Sequence, residues 1–236
     1  MGQSLASPNM KQLLLICAVV MGQSVLAEDK KPLITNPIVK KAIRKSLKKP
    51  RGELTKADLK KVTSLILYRT QITDAGLKEL VKLQNLEVLS LTSTQITDAG
   101  LKEVAKLKNL TVIVLRDTQT TDAGLKEVAK LQELEQLWLA FTQITDAGLK
   151  DVAKLQKLKK LWLTDTEITD GGLKEVAKLQ KLTWLDLHKT KITDGGLKEV
   201  AKLQKLNRFS LIGTKTTDAG VAELKKALPN CIITGP

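Results

Sequence analysis

The sequence repeats itself every 24 residues, and this period constrains the fold more than any other feature. The pattern Thr-Asp-(Ala/Gly)-Gly-(Leu/Val) occurs seven times, with its aspartates at Asp74, Asp98, Asp122, Asp146, Asp170, Asp194 and Asp218. A regular period in the twenties is typical of a solenoid, in which each repeat buries its apolar face only against its neighbours. Because the scaffold residues are almost copied between repeats, the positions that vary are the best indication of function.

Residues 1–27 have the features of an export signal. Lys11 precedes an apolar run over residues 13–21, which is too short to span a bilayer, and the small Ala27 suits cleavage before Glu28. We therefore expect a periplasmic or extracellular protein without a transmembrane segment. The mature chain has one cysteine, Cys231, and one histidine, His188. An internal disulfide and a four-ligand zinc site are thereby excluded, and we predict no metal and no cofactor.

The net charge of +14 is concentrated near the start of the mature chain. Residues 28–61 carry twelve Lys/Arg and four Asp/Glu, a net charge of +8, whereas residues 62–236 carry 26 and 21, a net charge of +5. No basic stripe therefore follows the repeats, and no nucleic-acid motif is present, so nucleic acid is not expected as a partner. The basic segment is interpreted as a solvated face, with a weak contact to an anionic envelope surface as the alternative.

The mature chain divides into four segments. Residues 28–35 are interpreted as a linker, 36–61 as a helical N-terminal cap, 62–227 as seven repeats and 228–236 as a C-terminal half-repeat cap. Asn36-Pro37 is a typical helix start, and Thr55 with Asp58 resembles a capping box. In the half-repeat, Cys231 is expected to replace a core leucine.

Each repeat, as in residues 86–109, alternates apolar and variable residues in its first half and has apolar residues at helical spacing in its second. The chain resembles the leucine-rich repeat family, in the bacterial secreted type with 24-residue Thr-Asp-x-Gly-Leu repeats, over about residues 55–236. The resemblance implies an α/β solenoid with a parallel β-sheet on its concave face and short helices on its convex face. Threonine replaces the family's usual Asn or Cys at seven positions, where we expect its hydroxyl to bond to turn backbone: Thr70, Thr94, Thr118, Thr142, Thr166, Thr190 and Thr214.

Family geometry places the third, fifth, seventh and eighth positions of each repeat on the concave face. All three tryptophans of the chain fall at such positions, in three successive repeats. Clustered exposed aromatics usually mark a contact surface, although mutual packing that stiffens the sheet is an alternative. The predicted ligand-binding residues are Trp138, Phe141, Trp162, Asp165, Trp184, Asp186, His188, Tyr68 and Arg116.

Binding is therefore a better explanation of these residues than catalysis. Asp186 and His188 share one strand and Asp165 lies near them, but no nucleophile accompanies them and a flat sheet implies no pocket, so we predict no enzyme. A polar rim around an aromatic patch fits better. The leading interpretation is a non-enzymatic module that binds a protein partner through the concave sheet. The alternative is a glycan-binding module, because exposed tryptophans can stack on sugar rings.

Overall fold

A computed structural model describes residues 32–236, so the predicted signal and residues 28–31 of the predicted linker lie outside the described residues. The strands are β1 Ser64–Ile66, β2 Val88–Ser90, β3 Val112–Val114, β4 Gln136–Trp138, β5 Lys160–Trp162, β6 Trp184–Asp186, β7 Arg208–Ser210 and β8 Ile232–Thr234. The helices are α1 Pro37–Ser46, α2 Lys56–Lys60, α3 Asp74–Leu77, α4 Asp98–Val104, α5 Asp122–Val128, α6 Asp146–Val152, α7 Asp170–Val176, α8 Asp194–Val200 and α9 Asp218–Ala227. A 3₁₀ turn, Lys78–Lys82, continues α3.

The strands form one parallel sheet in chain order, from β1 to β8, as the repeat pattern predicted. Each residue of a strand pairs with the residue 24 positions later in the next strand, as Leu137 does with Leu161. The central residue of a strand points inward, so Leu137, Leu161 and Leu185 are fully buried while their neighbours in the strand are half-exposed. Strand leucines and helix residues such as Leu149 and Val152 together make the core. The predicted solenoid of parallel strands and short helices is confirmed.

The seven threonines that depart from the family pattern bond to turn backbone, as expected. Each donates its hydroxyl to the carbonyl oxygen three residues earlier, as Thr94 Oγ1 does to Leu91 at 2.6 Å. The residue is buried or half-buried in every case. This bond satisfies the polar group inside the solenoid and fixes the turn that leaves each strand.

A ladder of Asp–Thr hydrogen bonds joins consecutive repeats along the helix side. Asp122 accepts two bonds from Thr145 of the next repeat, from its backbone N–H at 2.9 Å and from its hydroxyl at 2.6 Å. Thr145 in turn caps helix α6, because its hydroxyl accepts from the N–H of Ala147 at 3.2 Å. The same arrangement recurs from Asp74 to Asp194. The Thr-Asp pair therefore caps its own helix and holds the following repeat.

The ladder also explains the glycine of the repeated motif. A Cβ atom built on Gly148 would lie 2.3 Å from Oδ1 of Asp122 and 2.9 Å from a methyl of Leu125. The aspartate of one repeat thus occupies the space that a side chain would need in the next. Glycine is required here by close approach and not by backbone conformation.

Two capped helices lie within residues 36–61. Asn36 caps α1 by accepting from Ile38 N–H and Val39 N–H, and Thr55 and Asp58 form a capping box on α2. Val39 and Ile43 are fully buried against the first repeat. Ile34, near the end of the predicted linker, is 2% exposed and belongs to the same compact unit as the repeats.

Glu79 of the first repeat fastens the chain just before α1. It accepts from the backbone N–H of Thr35 at 3.0 Å, from the hydroxyl of Thr35, and from the N–H of Asn36 at 3.1 Å. Burial alone would raise the pKa of Glu79, but these hydrogen bonds outweigh it and hold the pKa below its usual range. The ionised carboxylate is therefore favoured by folding, and this contribution is lost as the pH falls through the lowered pKa.

Deleting residues 36–61 is expected to expose the apolar end of the first repeat. The deletion removes the covering side chains of Val39, Ile43, Leu54 and Leu59, all of which are buried. Terminal caps of solenoids are needed for solubility, so we expect a lower unfolding midpoint or aggregation, measured by thermal denaturation and light scattering. A soluble 62–236 fragment that melts with the intact chain would contradict the cap assignment.

Strand β8 completes the sheet, but its register differs from the sequence-based expectation. The residue that pairs with core Phe209 is Ile233, not Cys231. Cys231 is nevertheless buried at 7% exposure, and burial raises the pKa of its thiol. The 24-residue spacing is kept here, because Arg208 pairs with Ile232, so Cys231 lies just before β8 and not at its central position. Within residues 32–236, no helix has the length and apolar character needed to cross a membrane.

Candidate binding surface

The outward face of the sheet is the side away from the helices, and it holds the variable positions of each repeat. After each of the first six repeat strands the chain turns through a left-handed residue with φ between 51° and 58°: Arg69, Ser93, Asp117, Phe141, Asp165 and Lys189. The N–H of each turn residue donates to a carbonyl of the neighbouring repeat, as Phe141 does to Thr164 at 2.9 Å. A bulky Phe141 in this conformation is uncommon and costs about 1–2 kcal/mol. This cost suggests that the side chain is kept for a purpose other than stability.

The three tryptophans form one contiguous tryptophan stack (Trp138, Trp162 and Trp184). Trp138 and Trp162 are register partners, and their ring centroids lie 3.7 Å apart with an interplanar angle of 20°. Trp184 is tilted against Trp162, with the centroids 5.7 Å apart. Arg208 lies over the ring of Trp184, with its Cζ 5.2 Å from the ring centroid. All three tryptophans are half-buried, so the predicted clustering and the alternative of mutual packing are both present.

One polar atom of the stack has no partner. The indole N–H of Trp138 is buried and meets no acceptor among the described residues. An unsatisfied buried donor costs about 1–3 kcal/mol. A stack that served only to stiffen the sheet would gain stability from a residue without this donor.

A groove lies beside the stack, and we call it the arginine groove (Tyr68, Arg69, Thr92, Ser93, Arg116, Asp117 and Phe141). Its volume is about 560 Å³. The Cζ of Arg116 lies 4.7 Å from the Phe141 ring centroid, and that of Arg69 lies 5.0 Å from the Tyr68 ring centroid. The expectation that a flat sheet implies no pocket is therefore wrong, because the side chains at the turns stand up around a concavity.

The acidic and imidazole groups at the other end of the face do not form a catalytic arrangement. Asp186 Oδ1 accepts from the backbone N–H of His188 at 2.9 Å, and no bond joins this carboxylate to the imidazole in the described part of the chain. Asp165 lies on the adjacent turn, where its backbone N–H donates to the carbonyl of His188 at 2.8 Å. Asp186 is the register partner of Trp162, so these residues border the tryptophan stack.

Large apolar side chains are concentrated on this face. Ile66, Tyr68, Phe141 and Ile212 are 54%, 47%, 41% and 45% exposed, and all four occupy outward positions. Exposed apolar patches of this kind typically mark interaction surfaces. The convex side instead carries ion pairs such as Lys154–Asp151 at 2.6 Å.

The structure divides the predicted site residues into three groups, and Asp165, Asp186 and His188 form the polar one. Trp138, Trp162 and Trp184 form the stack, whereas Tyr68, Arg116 and Phe141 line the groove. Five further residues of this surface were not among the predicted ligand-binding residues: Arg69, Thr92, Ser93, Asp117 and Arg208. The sequence did contain a signal for two arginines. Arg208 follows Trp184 by one repeat, and Arg116 lies one repeat before Ala140, the residue next to Phe141.

Comparison with known proteins agrees with this geometry. The profile described as Leucine Rich repeat matches residues 82–105 and 154–177. The fold is similar to internalin C2 of Listeria monocytogenes, with 26% identity, 84% of this chain and 92% of that chain covered, and a TM-score of 0.60. It is also similar to a leucine-rich repeat protein of Leptospira interrogans, with 25% identity, 75% and 50% coverage and a TM-score of 0.56. The match thus spans half of the Leptospira chain. No curated protein matches the sequence.

The repeated Leu-x-x-Leu-x-Leu strands, the single parallel sheet and these likenesses agree with one another. The chain therefore has the repeats and the fold of leucine-rich repeat proteins.

Proposed function

We propose that this protein is an exported, non-enzymatic module that binds another protein through the outward face of its sheet. The observation that carries the proposal is the concentration of aromatic and arginine side chains there, which are the residue types enriched at binding hot spots. The export signal predicted for residues 1–27 is the reason for assigning the protein to the periplasm or the outside of the cell. Extended sheet faces of repeat proteins are suited to this role.

A glycan ligand is the second candidate, and the stack disfavours it. A sugar ring needs a free aromatic face, but Trp138 and Trp162 cover each other at 3.7 Å and Arg208 lies over Trp184. The edges of the rings and the apolar Ile66 and Phe141 remain open, and these suit side chains of a protein better than sugars. Isotherms with free oligosaccharides distinguish the two candidates, because measurable binding would favour the glycan.

The basic face of α1 is assigned no part in this binding. A shallow concavity on the cap is lined by Lys40, Lys41, Arg44, Lys45 and Lys48, and it shares no residue with the arginine groove. Their proposed role is to remain solvated, and the alternative is a weak contact with an anionic envelope surface.

Truncating Trp162 to alanine tests the proposed function. As the central member of the stack, it contacts both other tryptophans, so its loss is expected to weaken binding by about 2 kcal/mol or more, roughly 30-fold. The measurement is the amount of each polypeptide that the immobilised protein captures from envelope and culture-medium fractions. Lys126→Gln, an exposed change on helix α5, is the matched control. Equal capture by the folded Trp162→Ala variant and the native protein would contradict the proposal.

A further inference from the structure

The arginine groove differs in chemistry from the tryptophan stack. Arg69 and Arg116 each lie over an aromatic ring, and within residues 32–236 neither forms an ion pair with a carboxylate. Lysines on the convex side, by contrast, do pair with acidic residues, as in Lys130–Glu127 at 2.7 Å. Two unpaired guanidinium groups in one concavity are available for an anionic ligand.

The stacking geometry prepares these guanidinium groups for a carboxylate. A ring beneath the guanidinium plane restricts the side chain while leaving the N–H groups at its edge free to donate. Such an edge matches a carboxylate with two parallel hydrogen bonds. Arg69 follows strand β1 and Arg116 follows β3, so their backbones are about 10 Å apart. The hydroxyls of Thr92 and Ser93 lie between them as further donors.

The net charge of the groove indicates that its ligand carries one negative charge. Asp117 also lines it, so two arginines and one aspartate give a net charge of +1. A single carboxylate neutralises this charge, whereas a polyanion would be repelled by Asp117. The volume of about 560 Å³ is sufficient for an amino-acid side chain with neighbouring backbone.

We propose that the arginine groove binds the carboxylate of an Asp or Glu side chain in the polypeptide that contacts the tryptophan stack. This inference rests on the proposed function and specifies the chemistry of the partner. Phe141 of the groove follows Trp138 of the stack by three residues. Since an extended chain advances about 3.3 Å per residue, the acidic residue is expected about three positions from an apolar or aromatic residue of the ligand.

Selection from a phage-displayed library of random dodecapeptides tests this proposal with ligands of defined sequence. On the native protein, we expect enriched peptides to combine an apolar residue with Asp or Glu about three positions away. At that position, acidic residues should exceed Asn and Gln about tenfold, because only the carboxylate has a negative charge and two oxygens that can accept from the arginines. A representative peptide should lose about tenfold affinity when its acidic residue is changed to the amide, and 0.5 M salt should reduce this difference.

Three variants of the intact protein identify the source of the preference. Arg116→Gln and Arg69→Gln should each still enrich apolar peptides but bring the ratio of acidic to amide residues towards one. Lys126→Gln removes one positive charge from the convex side and should leave the ratio unchanged. Thermal melts of all three variants establish that they are folded.

The outcomes separate this inference from the proposed function. Enriched peptides without an acidic preference, or a preference that survives both arginine substitutions, would overturn the carboxylate site while leaving protein binding in place. Peptides that bind the native protein no better than Trp162→Ala would overturn the proposed function, and the carboxylate site with it. Binding to a glycan array in the absence of peptide enrichment would have the same result and would favour the glycan ligand.

Discussion

Leu161→Ala is expected to destabilise the protein by about 2–5 kcal/mol, because Leu161 is fully buried and its loss leaves a cavity that neighbouring repeats cannot close. Trp162→Ala, at the next position, should cost only about 1–2 kcal/mol despite the larger side chain removed. Trp162 points outward and loses mainly its contacts with the two other tryptophans.

Equilibrium unfolding in urea measures both changes, and the sheet geometry predicts their order. Adjacent residues in a strand face opposite sides, so the two substitutions sample the core and the outward face at one place in the fold. A Trp162→Ala protein that is destabilised as much as Leu161→Ala would show that the stack is part of the core, and it would remove the basis for treating it as a binding surface.

Asp122→Ala is expected to destabilise the protein by about 3 kcal/mol, because it breaks two charge-assisted hydrogen bonds and leaves the N–H of Thr145 without its acceptor. Asp218→Ala is the matched control. Both aspartates occupy the first position of their helices, but Asp218 is exposed and holds no threonine within the described residues. The control should therefore change stability by about 0.5 kcal/mol or less.

The comparison isolates the ladder from the favourable effect of an acidic residue at a helix start, since both variants lose that effect. Lowering the pH should reduce the stability of the protein, as Asp122→Ala does. Hydrogen bonds from Thr217 hold the pKa of Asp194 below its usual range, so the ionised form is favoured by folding. That contribution is present above the unfolded pKa and is lost as the pH falls through the lowered value. Equal destabilisation by the two alanine variants would contradict the role of the ladder.

The sequence predicted the fold because its information is periodic and local. Alternating leucines determine the strands, Thr97 and its equivalents determine where helices begin, and Asn36-Pro37 and Thr55 determine the cap. The register at Cys231 was predicted incorrectly because the apolar pattern matched Cys231 to the position of Phe209, whereas the 24-residue spacing, which β8 keeps with β7, gives that position to Ile233.

The candidate surface could be predicted only in part. Repeat spacing indicated that Trp138 and Trp162 lie side by side, and the structure places them so. Repeat spacing did not reveal the groove, because that concavity depends on left-handed turns such as the one at Phe141 and on the direction of long arginine side chains. The Asp–Thr ladder was likewise missed, since its partners lie 23 residues apart and neither is unusual in its own repeat.

The ladder makes each 24-residue unit interchangeable. Every unit presents a threonine to the unit before it and an aspartate to the unit after it, so the same connection is made at every junction between Asp74 and Thr217. Duplication or loss of a whole unit would rejoin identical ends and leave the junction chemistry intact, whereas a deletion of another length would separate Asp from Thr. The length of the solenoid, and with it the combination of side chains on the outward face, can therefore change by recombination without redesign of the core.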